Sequence, residues 1–352
     1  MLDIDSYVSF VLRSTHAYDE VVAKRKGKRQ TVKGMVQRWR KAQEGREIVH
    51  VGGRWRDYYK PGNQKRAQYH QDAMDSRDPS SFTFHPSHPT RHLEIKDQSG
   101  VTVAYRLRLP TKLSARLCES EALIPPVKAS SHARGETSNR HWAVWKPYMP
   151  MPCYSSEYVR DRFQGGDEWL QENSGLFQYL SDVVLRNLNP LMYDKFRGVR
   201  ASLPPGLEPL CGAWLGCAIN QGQTNDGKPH IDTNDYAFGY NVVTTWGTFT
   251  SSRLLLWQVS QSIELQPGDA VLFFGRLFTH NAINIVGGER NVVDAFCHSN
   301  IFSWHAKQRQ QGEGSRAGQD AEGSQEVEHG DAEAGNVELE YVETLFPKEL
   351  AA

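Results

Sequence analysis

Between Cys211 and Trp304 the hydrophobic positions fall into seven short runs: CGAWLGCAIN, AFGYNVVTTWGTF, RLLLWQV, SIEL, GDAVLFF, LFTHNAINIV and RNVVDAFCH. Gly, Pro, Asn and Asp turn signals part them, and β-branched and aromatic residues fill them, so they predict the strands of an antiparallel jelly roll or barrel. Upstream, LEIKDQSGVTVAYRLRL (Leu93 to Leu109) alternates apolar and polar residues around Gln98-Ser99-Gly100 and predicts a β-hairpin. Helical spacing holds elsewhere. Val8, Leu12, Val32, Met35, Val36 and Trp39 recur at three to four residues within 1–47, interrupted by AKRKGKRQ (Ala23 to Gln30). A second helical region, Glu157 to Leu188, carries Leu170, Leu176, Tyr179, Leu180, Val183 and Leu185, with no clear capping residue at its start.

Irregular stretches separate these elements. Prolines break HPSHPTRH (His85 to His92) and deny its three histidines a rigid scaffold for a metal. Ala129 to Arg140 reads as a polar loop, and Gln308 to Glu338, rich in Gly, Glu and Gln, as disordered. The last stretch, VELEYVETLF (Val337 to Phe346), regains enough apolar residues to pack on the core. The pattern gives an α+β chain with a jelly-roll, or double-stranded β-helix, core and flanking helices. It divides into a basic, partly helical region 1–135, a β-rich jelly-roll region 136–306 with a supporting helix, and an acidic tail 307–352.

Composition adds a compartment and a partner. The 352 residues carry no net charge, yet residues 1–150 hold 27 Lys and Arg against 15 Asp and Glu, a balance of +12, and residues 301–352 hold 4 against 11. A basic half favours a polyanion such as DNA, because each neutralised phosphate releases counterions; a solvated basic face is the competing explanation. The AKRKGKRQ run is a candidate for nuclear import or phosphate contact, though such runs are more often solvated linkers. Five cysteines without CxxC spacing indicate neither a zinc ribbon nor a disulfide framework. No apolar stretch has the length of a membrane span, and the first residues lack a signal-peptide pattern. The expectation is an intracellular, nuclear protein.

Three His-x-Asp pairs are candidate ligand pairs: His70 with Asp72, His230 with Asp232, and His329 with Asp331. His329 lies in the acidic tail with no later histidine, and His70 in a polar segment without β periodicity. Only His230 follows one strand-like run and precedes others, and His280 stands 48 residues beyond Asp232 in a further β run. At a strand end, residues i and i+2 share a face, so His230 and Asp232 point together and His280 completes a set of two histidines and one carboxylate. Such a facial set leaves positions open for a bidentate 2-oxoacid and O₂. Arg290, ten residues after His280, is one of three cations between Phe249 and Asn300, the others being Arg253 and Arg276. Its guanidinium fork suits a carboxylate. For either residue alone the structural alternatives compete: a turn cap for His280, an ion pair with Glu289 or Asp294 for Arg290.

The segments PHIDTNDYAFGYNVVTTWGTF, LLLWQV, IELQPGDAVLFF, THNAINI and GGERNVVDAFCH resemble, in order, the core of the TET/JBP-like dioxygenases found in fungi. The resemblance implies that His230, Asp232 and His280 bind Fe(II), that Arg290 holds 2-oxoglutarate, and that Asp235 and His298 face a flipped base; Asn234, in the same loop, is a further candidate substrate residue. It implies oxidation of 5-methylcytosine to 5-hydroxymethylcytosine and beyond, with N6-methyladenine demethylation as a further possibility. Asp235 stands where the animal enzymes carry asparagine, and a carboxylate accepts from an exocyclic amine but cannot donate. Val292 stands where they carry a serine, their cysteine-rich zinc region is missing, and the His-to-Arg gap is shorter. Residues 1–135 resemble nothing. Two alternatives remain open on the same core: a hydroxylase of a protein or small molecule, and a catalytically inactive DNA-binding module. Oligomeric state is not legible.

Overall fold

A computed structural model describes residues 28–317, apart from 61, 129, 133–134 and 147–148. The first strands in chain order are β1 (Glu47–His50), β2 (Thr83–His85), β3 (Leu93–Lys96), β4 (Thr102–Arg108), β5 (Ser130–His132), β6 (Gly135–Trp145) and β7 (Cys153–Tyr154). The seven expected strands follow as β8 (Gly216–Gln223), β9 (Asn241–Gly247), β10 (Ser251–Leu256), β11 (Gln261–Leu265), β12 (Asp269–Phe273), β13 (His280–Val286) and β14 (Arg290–Phe296).

They form two sheets. The larger runs β1-β3-β4-β12-β9-β14-β8-β6-β5 with β7 beside β6, and the smaller runs β13-β10-β11-β2. An isolated bridge from His230 to His280 adds a further rung beside β13. From β8 to β14 the first and last strands are neighbours, and the chain passes between the sheets in the order of a jelly roll. Strands from the segment before residue 136 join the same sheets: β4 pairs antiparallel with β12 in the larger, and β2 pairs parallel with β11 in the smaller. The hairpin expected at Leu93 to Leu109 forms from β3 and β4.

Every residue of β14 is buried. A strand buried along its whole length lies in a sheet covered on both faces. One cover is the smaller sheet, whose Leu254, Leu256 and Ile263 share a core with Val242 and Val293 of the larger. Helical segments contribute Trp169 and Phe196, which meet Trp142 and Trp214 edge-on at 5.7 and 6.3 Å. These aromatic contacts carry the helical layer against the sheet.

Several helical expectations change. The first described helix, Lys28–Glu44, includes the end of the Ala23 to Gln30 run; Lys, Arg and Gln are good helix formers and a charge run does not end a helix. Val8, Leu12 and the other residues before 28 lie outside the described residues. Glu157 to Leu188 is not one helix. Ser155 caps its start, accepting from the Tyr158 amide. The chain then breaks at Gly165, in left-handed conformation at φ 119°, breaks again at Asn173, and widens to a π-helix over Tyr179–Leu185. A further helix, Pro190–Ala201, has its own signals in the Asn189 cap and Pro190.

Within the expected loop Ala129 to Arg140, β5 and the start of β6 pair antiparallel instead. Polar residues are tolerated there because the sheet gives them partners: Asn139 donates to Asn220, and Arg140 to the Pro125 carbonyl. Helix Ser299–Ala317 continues past Gln308 into the stretch expected to be disordered, and residues 318–352, including His329, Asp331 and Val337 to Phe346, lie outside the described residues. His85 and His92 are buried and serve the core, bonded to Gln261 at 2.7 Å and Tyr105 at 2.5 Å. Among the described residues no helix is long and apolar enough to cross a membrane.

Gly165 is the position where the helical layer is most exacting. A Cβ there would lie 2.1 Å from the Leu123 carbonyl oxygen, besides the strain of its positive φ. Gly165→Ala is expected to lower stability by at least about 1 kcal/mol in urea denaturation; an unchanged midpoint would contradict this packing.

Candidate metal centre

The bridge between His230 and His280 is made of two reciprocal backbone bonds, His230 N–H to His280 O at 3.0 Å and His280 N–H to His230 O at 2.8 Å. It sets the two imidazoles side by side, ring centroids 4.5 Å apart. The His-x-Asp pair does not sit on a regular strand end as expected. His230 is held by this single bridge, and beyond it the chain turns, with the Asp232 amide donating to the Gly275 carbonyl at 3.0 Å.

The side chains nonetheless meet. Asp232 Oδ2 lies 3.4 Å from His280 Nε2, and Oδ1 lies 4.0 Å from His230 Nε2. One ligand atom from each residue lies within 4.8 Å of the other two, and among the described residues this is the one such group of three or more His, Cys, Asp or Glu side chains.

Both histidines are tuned to present the same nitrogen. His230 Nδ1 sits 2.9 Å from the Lys228 carbonyl, and His280 Nδ1 2.9 Å from the Phe278 carbonyl. A carbonyl only accepts, so each Nδ1 carries the proton and each Nε2 keeps a lone pair. Orienting bonds of this kind fix the tautomer of metal-binding histidines. Phe273 packs edge-on against the His280 ring at 4.8 Å, holding it from the apolar side. The donor set of two neutral imidazoles and one carboxylate fits a divalent transition metal with positions to spare.

Two neighbours that sequence reasoning missed support Asp232. Asn241 opens β9 and is buried; its Nδ2 donates to Asp232 Oδ2 at 3.3 Å and to Asp235 Oδ2 at 2.7 Å. Gly275 lets the carboxylate approach, since a Cβ there would lie 2.5 Å from Asp232 Oδ2. No periodicity marks either residue. A glycine directly after an apolar strand was the available hint.

Arg290 opens β14 and is 4% exposed. Its Nη1 donates to Gln223 Oε1 at 2.8 Å, while its Nε is sealed from solvent with no acceptor. Burial alone pulls its pKa down to about 10, and no described carboxylate pairs with it, so the ion pairs with Glu289 or Asp294 weighed above do not form. A buried cation with an orphan donor is costly unless an anion completes it. Gln223 was not anticipated; it stands opposite Arg290 in the β8–β14 register. Val292 is buried in β14.

The three candidate substrate residues separate into two groups. Asp235 and His298, both 8% exposed, are joined by an isolated bridge, whereas Asn234 is exposed and contributes its carbonyl to the Ser299 amide. Asp235 is thus part of a buried network. His298 Nδ1 accepts from the Asn300 amide at 3.3 Å, which leaves the proton on Nε2. Burial first and Arg276 second depress its pKa to about 4, so the ring is neutral at pH 7. Of the other His-x-Asp pairs, His70 lies on helix Asn63–Asp75 and bonds Thr279 Oγ1 at 2.8 Å.

The sequence matches no family profile and no curated protein. Solved structures align with it only distantly. NgTET1 in complex with 5mC DNA aligns at 18% identity with a TM-score of 0.45, over 67% of this chain and 91% of that one. A 2OG-Fe(II) oxygenase family oxidoreductase from Burkholderia pseudomallei aligns at 14% and 0.33, over 71% and 94%. OsALKBH1 aligns at 13% and 0.32, over 55% and 97%. Likeness this remote leaves the chemistry to be read from the side chains.

Asn241→Ala is expected to weaken divalent-metal binding by roughly 10- to 100-fold, as loss of an outer-shell partner does. Titration with Co(II), followed by its visible absorption, would measure it; wild-type affinity in a folded variant would remove Asn241 from this role.

Proposed function

We propose that this chain is an Fe(II)- and 2-oxoglutarate-dependent dioxygenase that oxidises a methylated base in DNA. The observation that carries the proposal is the pairing of a convergent His230, Asp232 and His280 set with the buried, incompletely bonded guanidinium of Arg290. In this reading the three ligands hold iron on one face, and Arg290 pairs with the distal carboxylate of 2-oxoglutarate. Bound there, the metal and co-substrate would supply the oxidising power, O₂ converting 2-oxoglutarate to succinate and CO₂ while a substrate C–H bond is hydroxylated.

The chain's own groups do the rest. The Lys228 and Phe278 carbonyls keep the two Nε2 lone pairs aimed at the metal. Asn241 holds the carboxylate oxygen that would otherwise rotate. Gln223 fixes the arginine fork and leaves its Nε as a ready donor.

A nucleobase substrate is supported by the Asp235–His298 bridge. This backbone pairing brings together two residues whose side chains, a carboxylate that accepts and a neutral imidazole that donates through Nε2, would complement the amine and ring nitrogen of cytosine. Such a base must leave the duplex stack to reach the metal. The basic balance of residues 1–150 supports a polyanionic partner. Asn234, exposed beside them, is assigned to the same substrate face.

Incubation of methylated duplex DNA with the protein, Fe(II), 2-oxoglutarate and O₂ should yield 5-hydroxymethylcytosine or its oxidised successors in nucleoside mass spectrometry, and His230→Ala should abolish it. Succinate release without any altered 5-methylcytosine or N6-methyladenine would redirect the enzyme to a protein or small molecule. Metal binding without succinate would identify an inactive module. Arg290→Lys loses the fork and is expected to raise the KM for 2-oxoglutarate on the order of tenfold or more, with Fe(II) affinity retained; an unchanged KM would assign the anchor elsewhere.

A further inference from the structure

A second group of cations stands beside the metal centre, and neither the ligand set nor the co-substrate anchor uses it. Lys60, Arg66 and Arg276 line a small pocket together with Tyr59, Tyr69 and Ile231. Ile231 lies between the ligands His230 and Asp232, and Arg276 follows Gly275, whose carbonyl receives the Asp232 amide. The pocket therefore shares a wall with the centre.

The three cations are held without counter-ions. Arg276 Nη1 donates to the Asp235 carbonyl at 2.8 Å. Arg66 Nη1 donates to the Thr233 carbonyl at 3.3 Å and Nη2 to Asn63 Oδ1 at 2.8 Å, while its Nε is sealed from solvent and has no acceptor. Lys60 Nζ donates to the Asp57 carbonyl and lies 5.1 Å from the Tyr69 ring centre. Among the described residues none of the three forms a salt bridge with a carboxylate. Burial lowers the pKa of Arg66, and the neighbouring Arg276 lowers it further, the mark of like charges brought together. Charges gathered this way repel unless an anion joins them.

The position of Arg276 identifies the anion. The same guanidinium that faces Arg66 secures the Asp235 backbone and depresses His298, so the cluster adjoins the residues assigned to the base. In a nucleic acid, the anion beside a base is a phosphodiester, and guanidinium forks match it bidentately.

We propose that Lys60, Arg66 and Arg276 form a phosphate clamp that grips the phosphodiester next to the base presented to the metal. The clamp rests on the nucleobase reading, and it draws Lys60 and Arg66 from a part of the chain whose sequence resembles nothing known. Its role is positional: it fixes the strand while Asp235 and His298 meet the base.

The test is the salt dependence of binding to a labelled duplex carrying one 5-methylcytosine, without 2-oxoglutarate so that no turnover occurs. Arg66→Gln and Arg276→Gln should each weaken binding several-fold and flatten the slope of log K against log salt by about one. Arg66→Lys and Arg276→Lys should keep the slope. A duplex with a methylphosphonate beside the modified base should reproduce the loss with the unaltered protein, which covers a Gln variant that fails to fold. Unchanged slopes in folded Gln variants, together with indifference to the methylphosphonate, would overturn the clamp. If oxidised nucleosides form all the same, the base reading survives that result. Flattened slopes without oxidised nucleosides would support the clamp and remove the oxidation. Failure of the unaltered protein to bind any duplex would overturn the clamp outright.

Discussion

Two backbone hydrogen bonds between His230 and His280 hold the centre together. They join a segment with no regular strand of its own to the first residue of β13, and both imidazoles come into register because of them. The sheets on either side supply the rigidity: β13 is pinned to β10, and the turn after Phe273 is pinned by Asp232 through Gly275. A centre assembled from two segments far apart in sequence depends on the closed jelly roll, since only His280 of the three lies on a regular strand.

Much of this was legible in the sequence for local reasons. The seven strands showed because their apolar runs and turn residues are short-range signals. The candidate ligands showed because of their order and spacing among those strands. The His-x-Asp geometry was right in outcome but wrong in cause: the turn at Asp232, not strand pleating, brings the carboxylate round. Polar strand residues such as Asn139 and Arg140 read as loop because their partners, Asn220 and the Pro125 carbonyl, are far away in sequence.

What stayed hidden depends on long-range pairing. Nothing in the order of residues says that β4 will cover β12, or that helix Asn63–Asp75 will bring Arg66 to the Thr233 carbonyl. Asn241 is an unremarkable polar residue until Asp232 and Asp235 are seen on either side of it. Gln223 likewise gains meaning only through its register with Arg290. The breaks in the Glu157 to Leu188 region arise where the helical layer meets neighbours too closely for a continuous cylinder, as Gly165 does against Leu123.

The amide of Asn241 has two hydrogens, and both are committed: one to the carboxylate that faces the imidazoles, the other to the carboxylate beside His298. A change at position 235 that alters which molecule is accepted also alters what Asn241 can offer Asp232. Under the proposed function, in which Asp235 meets the substrate and Asp232 the metal, Asn241 links selectivity to metal retention. A lineage that shifts its substrate through Asp235 must adjust position 241 in step, so the two positions are expected to change together across relatives rather than one at a time.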